Sequence, residues 1–295
     1  MASRQHRTAH VFNAPRRGPI SGMSRLIQEV MDRGSLQLMM LGLLSLIAIA
    51  TPVPVRGSEA MSVREWEALW ARVLSRHVDE QGRIDFAAVK RNHSDLDRVV
   101  AFVAAVDPAS QPQRFSEKRA RLAFYINAYN ALAMHGVVDA GIPESLGGLA
   151  KMTFFYMRTF TVGGKSMSLH AFENEVIRPL GEERVHFALN CMTVGCPRLP
   201  RAAFTADAIE RQLQAAARAF VAEPRNVRVE PGRREVWLSA IFDFYTKDFV
   251  GRAPNLIAYV NRHRTEPIPE DFRVRFLDYD WTVNDRRLLG RREVP

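Results

Sequence analysis

Residues 185–200 read VHFALNCMTVGCPRLP, and they hold both cysteines of the chain. The first seven residues alternate in character, which predicts a β-strand with two different faces. Gly195 and Pro197 then predict a tight loop that presents Cys196 at the end of this strand. We therefore expect the chemistry of the protein to lie here. The apolar face of the predicted strand carries Val185, Phe187, Leu189 and Cys191, and the other face carries His186, Ala188 and Asn190.

The two cysteines, Cys191 and Cys196, are open to several interpretations. Gly195 lets the chain fold back between them, so a local disulfide is favoured if the protein reaches an oxidising compartment. Because the closed loop is short, such a bond would stabilise the fold only slightly. Alternatively, Cys196 is a nucleophile activated by His186, since a thiolate requires a nearby imidazole. A redox-active pair and a zinc site fit the spacing poorly, and we predict no metal and no cofactor.

Residues 36–50 form an almost uninterrupted apolar run that follows a basic region and ends in small residues. This order is typical of a secretory signal, and the run is shorter than the roughly 20 residues needed to span a bilayer. We predict that residues 1–50 are a secretory signal region, with Met23 as the true start. The predicted location is periplasmic or secreted, with membrane contact through this segment only. A short uncleaved anchor is the alternative.

The formal net charge of +9 is unevenly distributed along the chain. Residues 1–50 hold six arginines against two acidic residues, whereas the remainder mixes both signs up to a short basic end. Nucleic-acid binding usually requires a basic stripe interleaved with aromatic residues, and the sequence has none. The composition therefore gives no support for a nucleic-acid partner.

The order of helical and strand patterns favours an α+β fold. After a linker at residues 51–62, we predict one domain over residues 63–290. Apolar residues recur at helical spacing through residues 62–77, where Ser62 and Glu65 form a capping box. Residues 118–138 form the longest helical pattern, and its C-terminal part is apolar on nearly every side, which predicts a buried central helix. Hairpin patterns around residues 154–162 and 227–238, with a last strand at 274–277, predict a small, mostly antiparallel sheet packed by helices.

Two asparagines, Asn127 and Asn130, lie three residues apart on one face of the predicted central helix. A buried amide that loses its hydrogen bonds costs about 1–3 kcal/mol, so both side chains must join a polar network. That network either clamps neighbouring backbone or lines a functional site. Residues 239–249 predict another helix, on which Phe242, Tyr245 and Phe249 form a core stripe while Asp243 and Asp248 face solvent.

These residues together resemble a family found in bacteria and plants, called domain of unknown function number 547. The resemblance covers residues 64–285 in order. The matching residues are FYINAYNAL at 124–132, Ser168 and Leu169 with Phe172 and Glu173, Arg184 with His186 and Phe187, residues 189–191 with Cys196 and Pro197, Leu238 and Ser239 with Tyr245, Asp248 and Phe249, and residues 279–281 with Asn284.

The resemblance implies an α+β domain, intracellular or exported, with no established activity. Where the family usually shows Ile-Glu-His, this chain has Phe-Glu-Asn at residues 172–174, so a histidine is missing beside Glu173. A buried helix followed by a strand with a histidine is also analogous to the core of papain-like and transglutaminase-like enzymes. In those enzymes the nucleophile begins the central helix, but residues 120–127 here contain no cysteine or serine.

Two functions follow from this reading. The first is a cell-envelope binding domain, stapled by a Cys191–Cys196 disulfide, with a polar pocket around His186 for a peptide, glycan or protein. The second is a cysteine-dependent hydrolase or acyl transferase that acts on amide or peptide bonds of the envelope. In the second, Cys196 is the nucleophile and His186 the base, and the remaining candidate catalytic residues are Asn127, Asn130 and Glu173. Free thiols would favour the enzyme.

Overall fold

The computed structural model describes residues 61–290. The predicted signal region and all but the last two residues of the predicted linker lie outside this range. Among residues 61–290, no helix is both long enough and apolar enough to cross a membrane.

The first helix, α1 (Val63–His77), begins as the sequence predicts. The Ser62 hydroxyl accepts the backbone N–H of Glu65, and the Glu65 carboxylate accepts the backbone N–H of Ser62 at 2.8 Å. This reciprocal pair satisfies two of the donors that a helix start leaves free. The buried face of α1 includes Trp66 and Trp70, and it packs on helices α3 (Ser94–Ala105) and α4 (Lys118–Asp139). A shorter helix, α2 (Phe86–Arg91), also contacts α1 and α4.

Helix α4 is the central helix, and its predicted burial is confirmed. Every residue from 122 to 134 is buried. Because the surrounding elements cover all sides of α4, its polar side chains must find partners inside the protein. This requirement is the origin of the two asparagine contacts described below.

Within residues 61–290, five strands form two small sheets. Strands β1 (Thr159–Val162) and β2 (Lys165–Ser168) make an antiparallel hairpin that turns at Gly163 and Gly164, both with positive φ. The second sheet has the order β3 (Val227–Glu230), β4 (Glu235–Leu238), β5 (Arg273–Phe276). Strands β3 and β4 are antiparallel, and β4 and β5 are parallel. The mixture of helices with small sheets confirms the α+β class.

The remaining elements are short, and several are not regular α-helices. Two of them continue as π-helical turns, which often mark functional sites. They are α5 (Leu149–Lys151) with the π-helical turn Met152–Met157, α6 (Leu169–Ala171) with the π-helical turn Phe172–Ile177 and the 3₁₀ turn Arg178–Leu180, the 3₁₀ turns Glu183–Phe187 and Pro231–Arg233, α7 (Ile209–Ala222), α8 (Ala240–Phe244), α9 (Thr246–Val250), α10 (Leu256–Asn261) and α11 (Arg286–Gly290).

The strand predicted at residues 185–191 is wrong. Residues Glu183–Phe187 form a 3₁₀ turn, and an irregular loop follows it. The alternation in the sequence has another cause, because this segment runs between two apolar cores. Val185 packs in the core around α4, whereas Phe187 packs in a second core with Phe220 and Phe249. Residues 185–190 are all buried, so the alternation of residue types does not separate a buried face from an exposed one.

The strand predicted at residues 154–156 is also wrong. These residues belong to the π-helical turn Met152–Met157, which buries Phe154 and Phe155 against the core. The two phenylalanines pack edge to face at 4.9 Å between ring centroids. Aromatic residues favour strands on average, but here packing on the core overrides that weak preference. The hairpin lies one step later in the chain, at β1 and β2.

Candidate functional site

Residues that lie far apart in the chain line one cavity of about 360 Å³. Its volume lies within the range of small-molecule sites. The wall contains Glu173 after α6, His186 from the 3₁₀ turn, both cysteines of the following loop, Tyr245 between α8 and α9, and Tyr279 after β5. His186, Cys196 and Glu173, predicted as site residues, therefore share one cavity.

The loop after His186 is shaped by one buried side chain and one unusual backbone conformation. The Asn190 amide accepts the backbone N–H of Met192 at 2.7 Å and donates to the Pro197 carbonyl at 2.6 Å. Met192 has a φ of 68°, in the left-handed region that a side chain other than glycine seldom adopts. This bend directs the backbone N–H of Cys191 to Sγ of Cys196 at 2.9 Å. Strain of this kind is often found at functional sites.

Both cysteines are free, so the predicted disulfide is wrong. The Tyr279 hydroxyl lies 3.1 Å from Sγ of Cys196 and 3.2 Å from Sγ of Cys191. The Thr193 hydroxyl lies 3.2 Å from Sγ of Cys191 and 3.5 Å from Sγ of Cys196. The two sulfurs therefore belong to a cluster of hydrogen-bonding hydroxyl and thiol groups instead of bonding to each other.

The two thiols differ in acidity. Burial tends to raise the pKa of Cys196, but hydrogen bonds from Cys191, Thr193 and Tyr279 outweigh burial and lower its pKa to about 6. Burial raises the pKa of Cys191 well above the usual value, and the hydrogen bond with Cys196 and the charge of its thiolate raise it further. Cys196 is therefore the more acidic of the two thiols, and Cys191 is a neutral thiol that supports it.

His186 is buried and held by contacts on three sides. Its Nε2 lies 2.8 Å from Oδ2 of Asp248, and its ring stacks on Tyr245 with 3.7 Å between centroids. Arg178 donates two further hydrogen bonds of 2.8 Å to the same carboxylate. The bonds from His186 and then Arg178 hold the pKa of Asp248 far below its usual range. Asp248 therefore accepts the Nε2 proton, which leaves Nδ1 of His186 as the acceptor.

The prediction that Asp248 faces solvent is wrong, although it is right for Asp243. Asp248 follows Tyr245 by three residues, a spacing that places both on one face of a helix. Because Tyr245 was predicted to face the core, this spacing was a signal that the carboxylate lies beside it.

Nδ1 of His186 has no hydrogen-bond partner although it is buried. Oε1 of Glu173 lies 3.9 Å from this nitrogen, which is beyond hydrogen-bond distance. The other oxygen of Glu173 lies 3.5 Å from the Tyr129 hydroxyl. Burial, and then the charge of Glu173, raises the pKa of both Tyr129 and Tyr245, so these phenols remain neutral donors.

Asn127 and Asn130 act as backbone clamps. Asn127 donates to the Phe204 carbonyl at 2.7 Å and accepts its N–H at 2.9 Å. Asn130 donates to the Ala188 carbonyl at 3.0 Å and accepts the Asn190 N–H at 2.7 Å. Neither asparagine is among the residues that line the cavity. These contacts are the backbone clamps of the first interpretation of the pair. Neither side chain contacts His186 through a hydrogen bond.

The polar residues Asp248, Tyr279 and Arg178 were absent from the predicted site. Tyr279 and Arg178 line the cavity, and Asp248 contacts His186 without lining it. Asp248 and Tyr279 belong to the motifs that carry the family resemblance, and that signal could have identified them. Arg178 lies five residues after Glu173 and has no comparable signal. Among residues 61–290, no group of three or more His, Cys, Asp or Glu side chains is arranged to hold a metal ion.

The comparison with protein families gives one result. Residues 112–221 match the model of the family described as Protein of unknown function, DUF547. The predicted family is thereby confirmed over this segment, which contains Glu173, His186 and both cysteines, whereas Tyr245, Asp248 and Tyr279 follow it. No curated protein matches the chain. No solved structure matches it either, so the papain-like analogy stays a prediction.

Proposed function

We propose that this domain is a cysteine-dependent hydrolase or acyl transferase, with Cys196 as the nucleophile and His186 as the acid–base residue. One observation carries the proposal: the thiol of Cys196, with its pKa lowered to about 6, lies in the same cavity as a buried histidine held by Asp248. A low-pKa thiol and an oriented imidazole that face one cavity are the two groups that nucleophilic cysteine catalysis uses.

The reaction follows from these positions. The thiol proton passes to Nδ1 of His186, and Sγ of Cys196 bonds to the carbonyl carbon of the substrate. The tetrahedral intermediate then collapses, the bond to the leaving nitrogen or oxygen breaks, and that atom takes the proton from His186. Water, or an amine in a transferase, gives a proton to Nδ1 of His186 and attacks the thioester. The C–S bond then breaks, the acyl group leaves on the attacking oxygen or nitrogen, and the proton returns from Nδ1 of His186 to Sγ of Cys196.

Carboxylates lie beside both nitrogens of the imidazole that carries the proton in this sequence. Asp248 lies 2.8 Å from Nε2 of His186, and Glu173 lies 3.9 Å from Nδ1. The hydroxyls of Tyr129 and Tyr245 stay neutral near Glu173. The carbonyl of the substrate would lie between the thiol and the imidazole.

The substrates we propose are amide or peptide bonds of the cell envelope, in a periplasmic or secreted setting. Support for this setting comes from the basic region and the apolar run at residues 36–50.

The test is capture of an acyl-enzyme. The full chain is treated with p-nitrophenyl butanoate and examined by mass spectrometry. We expect a butanoyl adduct on Cys196 in the wild type and in Cys191→Ser, and none in Cys196→Ser. His186→Ala should form the adduct more slowly and release it more slowly, because both steps need its Nδ1. An adduct on Cys191, or no adduct in the wild type, would contradict the proposal.

A second candidate is a non-catalytic binding domain with a polar pocket around His186 for an envelope peptide, glycan or protein. It is favoured by the thiol contacts, since the hydrogen-bond partners of Sγ in Cys196 are Cys191, Thr193 and Tyr279 and do not include His186. Calorimetry with N-acetyl dipeptide amides would distinguish it. Binding that is equal in wild type and Cys196→Ser, lost in His186→Ala and never followed by turnover, would favour this candidate.

A further inference from the structure

Large apolar side chains are exposed on a segment that contributes to the cavity wall. Leu149, Met152, Tyr156 and Met157 lie on the helical segment 149–157, and Phe244 lies at the end of α8. Leu149 is 88% exposed and Met157 is 71% exposed. We call these five residues the apolar lip. Single exposed apolar residues are ordinary, but four on one short segment whose Tyr156 lines the cavity, with Phe244 of the same wall, indicate a binding surface.

The exposure of the lip is imposed by packing on the other side of the same segment. Phe154 and Phe155 of the π-helical turn are buried, and Phe155 packs 6.0 Å from Trp281 between ring centroids. Because these two rings anchor the turn, Met152 and Met157 remain outside. The lip is therefore a feature of the folded protein and does not depend on a loose segment.

The lip is continuous with the cavity. Tyr156 and Phe244 line the cavity and are also 42% and 49% exposed, so each belongs to both surfaces. Lys151 lies at the boundary, with its ammonium 4.7 Å from the centre of the Trp281 ring and 5.9 Å from that of Phe244. The segment 149–157 and Phe244 therefore meet at the cavity wall, where an apolar group of a bound substrate would contact them.

We propose that the apolar lip binds the acyl chain of the substrate, so that the substrates are amphiphilic acyl compounds whose chain extends beyond the cavity. This inference rests on the proposed function of Cys196. A cavity of about 360 Å³ is near the lower end for small-molecule sites, so a long chain must leave through the mouth. Each methylene that the lip removes from water contributes up to about fourfold in affinity.

The first experiment measures acylation by p-nitrophenyl esters from butanoate to decanoate. We expect kcat/KM for p-nitrophenolate release to rise at least about tenfold from butanoate to decanoate in the wild type. The combined variant Leu149→Ser, Met152→Ser, Met157→Ser should reduce that ratio to near one while butanoate turnover is unchanged. Phe276→Ser, an exposed apolar residue of β5 that does not line this cavity, is the matched control and should keep the ratio.

The second experiment is independent of catalysis. Decanamide and butanamide are titrated into Cys196→Ser by calorimetry, with and without the three lip substitutions. Decanamide should bind at least about tenfold more tightly than butanamide, and only with the lip intact. If acylation fails but this preference holds, the proposed function is wrong and the lip inference stands.

Three results would overturn the lip inference. One is equal acylation and equal binding for short and long chains. Another is a chain-length preference that survives the three serine substitutions. The third is loss of binding to phosphatidylglycerol vesicles in the serine variant without any effect on chain length, which would assign the lip to a membrane surface.

Discussion

At the scale of single residues, the chemistry depends on which groups surround the sulfur of Cys196. The backbone N–H of Cys191, the hydroxyl of Thr193 and the hydroxyl of Tyr279 all lie within hydrogen-bond distance of it. Burial alone would make this thiol a poorer acid, and it is the donors that reverse the effect. Gly195 permits the arrangement, because a Cβ at this position would lie 2.8 Å from the Tyr279 ring.

We predict that Tyr279→Phe shifts the pH dependence of Cys196 alkylation. In the wild type, the rate with iodoacetamide should rise through about pH 6 and level off above pH 7, as the thiolate forms. Loss of the Tyr279 donor destabilises the thiolate, so the midpoint should move up by about one pH unit. The rate at pH 6 should then fall roughly fivefold. Mass spectrometry in Cys191→Ser background measures this rate at Cys196 alone.

The control for this prediction is Tyr156→Phe, because Tyr156 lines the same cavity without a hydrogen bond to either sulfur. Its midpoint should match that of the wild type. An unshifted midpoint in Tyr279→Phe would show that the hydroxyl does not support the thiolate.

At the scale of elements, the site is a loop tied to helix α4. Asn130 binds the Ala188 carbonyl and the Asn190 N–H, and Asn190 in turn binds both ends of the bend that holds the thiols. The position of Cys196 therefore depends on an amide that does not touch the cavity. A buried helix can supply this support because its rigid backbone fixes where the amide points.

We predict that Asn130→Ala lowers the free energy of unfolding by about 2–4 kcal/mol. The substitution leaves a buried carbonyl and a buried N–H without partners, and each costs about 1–3 kcal/mol. Urea unfolding followed by circular dichroism measures the change. Asn92→Ala is the matched control, because Asn92 is exposed and its loss should cost less than about 0.5 kcal/mol. Equal stability of the two variants would refute the clamp.

At the scale of the whole molecule, the described residues form two apolar cores, and these cores meet at the 3₁₀ turn that carries His186. Ion pairs support this junction, since Arg184 bonds Glu182 at 2.6 Å and Glu210 of α7 at 2.7 Å.

A carboxylate in another part of the fold lowers the free energy of unfolding when it is ionised. Glu67 of α1 is half-buried, and burial, followed by the nearby charge of Asp207, raises its pKa to about 7.

We predict that Glu67→Gln stabilises the protein at pH 8 and not at pH 4. Between the unfolded pKa near 4.5 and the folded pKa near 7, the folded protein holds a proton that the unfolded chain has lost. The free energy of unfolding therefore falls as pH rises through this window. Because Glu67 is partly exposed, solvent screening reduces the gain in the free energy of unfolding to about 1 kcal/mol at pH 8. Thermal unfolding of Glu67→Gln at both pH values measures this difference, with the exposed Glu80→Gln as the control. Equal stabilisation by Glu67→Gln at pH 4 and pH 8 would contradict the prediction.

The sequence alone determined the features that depend on neighbours in the chain. The capping box joins Ser62 to Glu65, three residues later in the chain. The burial of helix α4 could be predicted because apolar residues occupy nearly every side of its C-terminal part. The turn at Gly163 and Gly164 follows from their freedom at positive φ. The motifs of residues 124–132 and 186–197 were likewise sufficient for the family, and they placed His186 and Cys196 in one candidate site.

Only the tertiary structure decided how that site is built. The contact of His186 with Asp248 joins residues 62 apart in the chain, and that of Cys196 with Tyr279 joins residues 83 apart. Periodicity reports that a side chain is buried, but it does not report against which element. For that reason the alternation at residues 185–191 predicted a strand, and the thiols predicted as a disulfide are instead separate groups in a hydrogen-bonded cluster. Contacts made across such distances are fixed by the packing of whole elements, which no local pattern encodes.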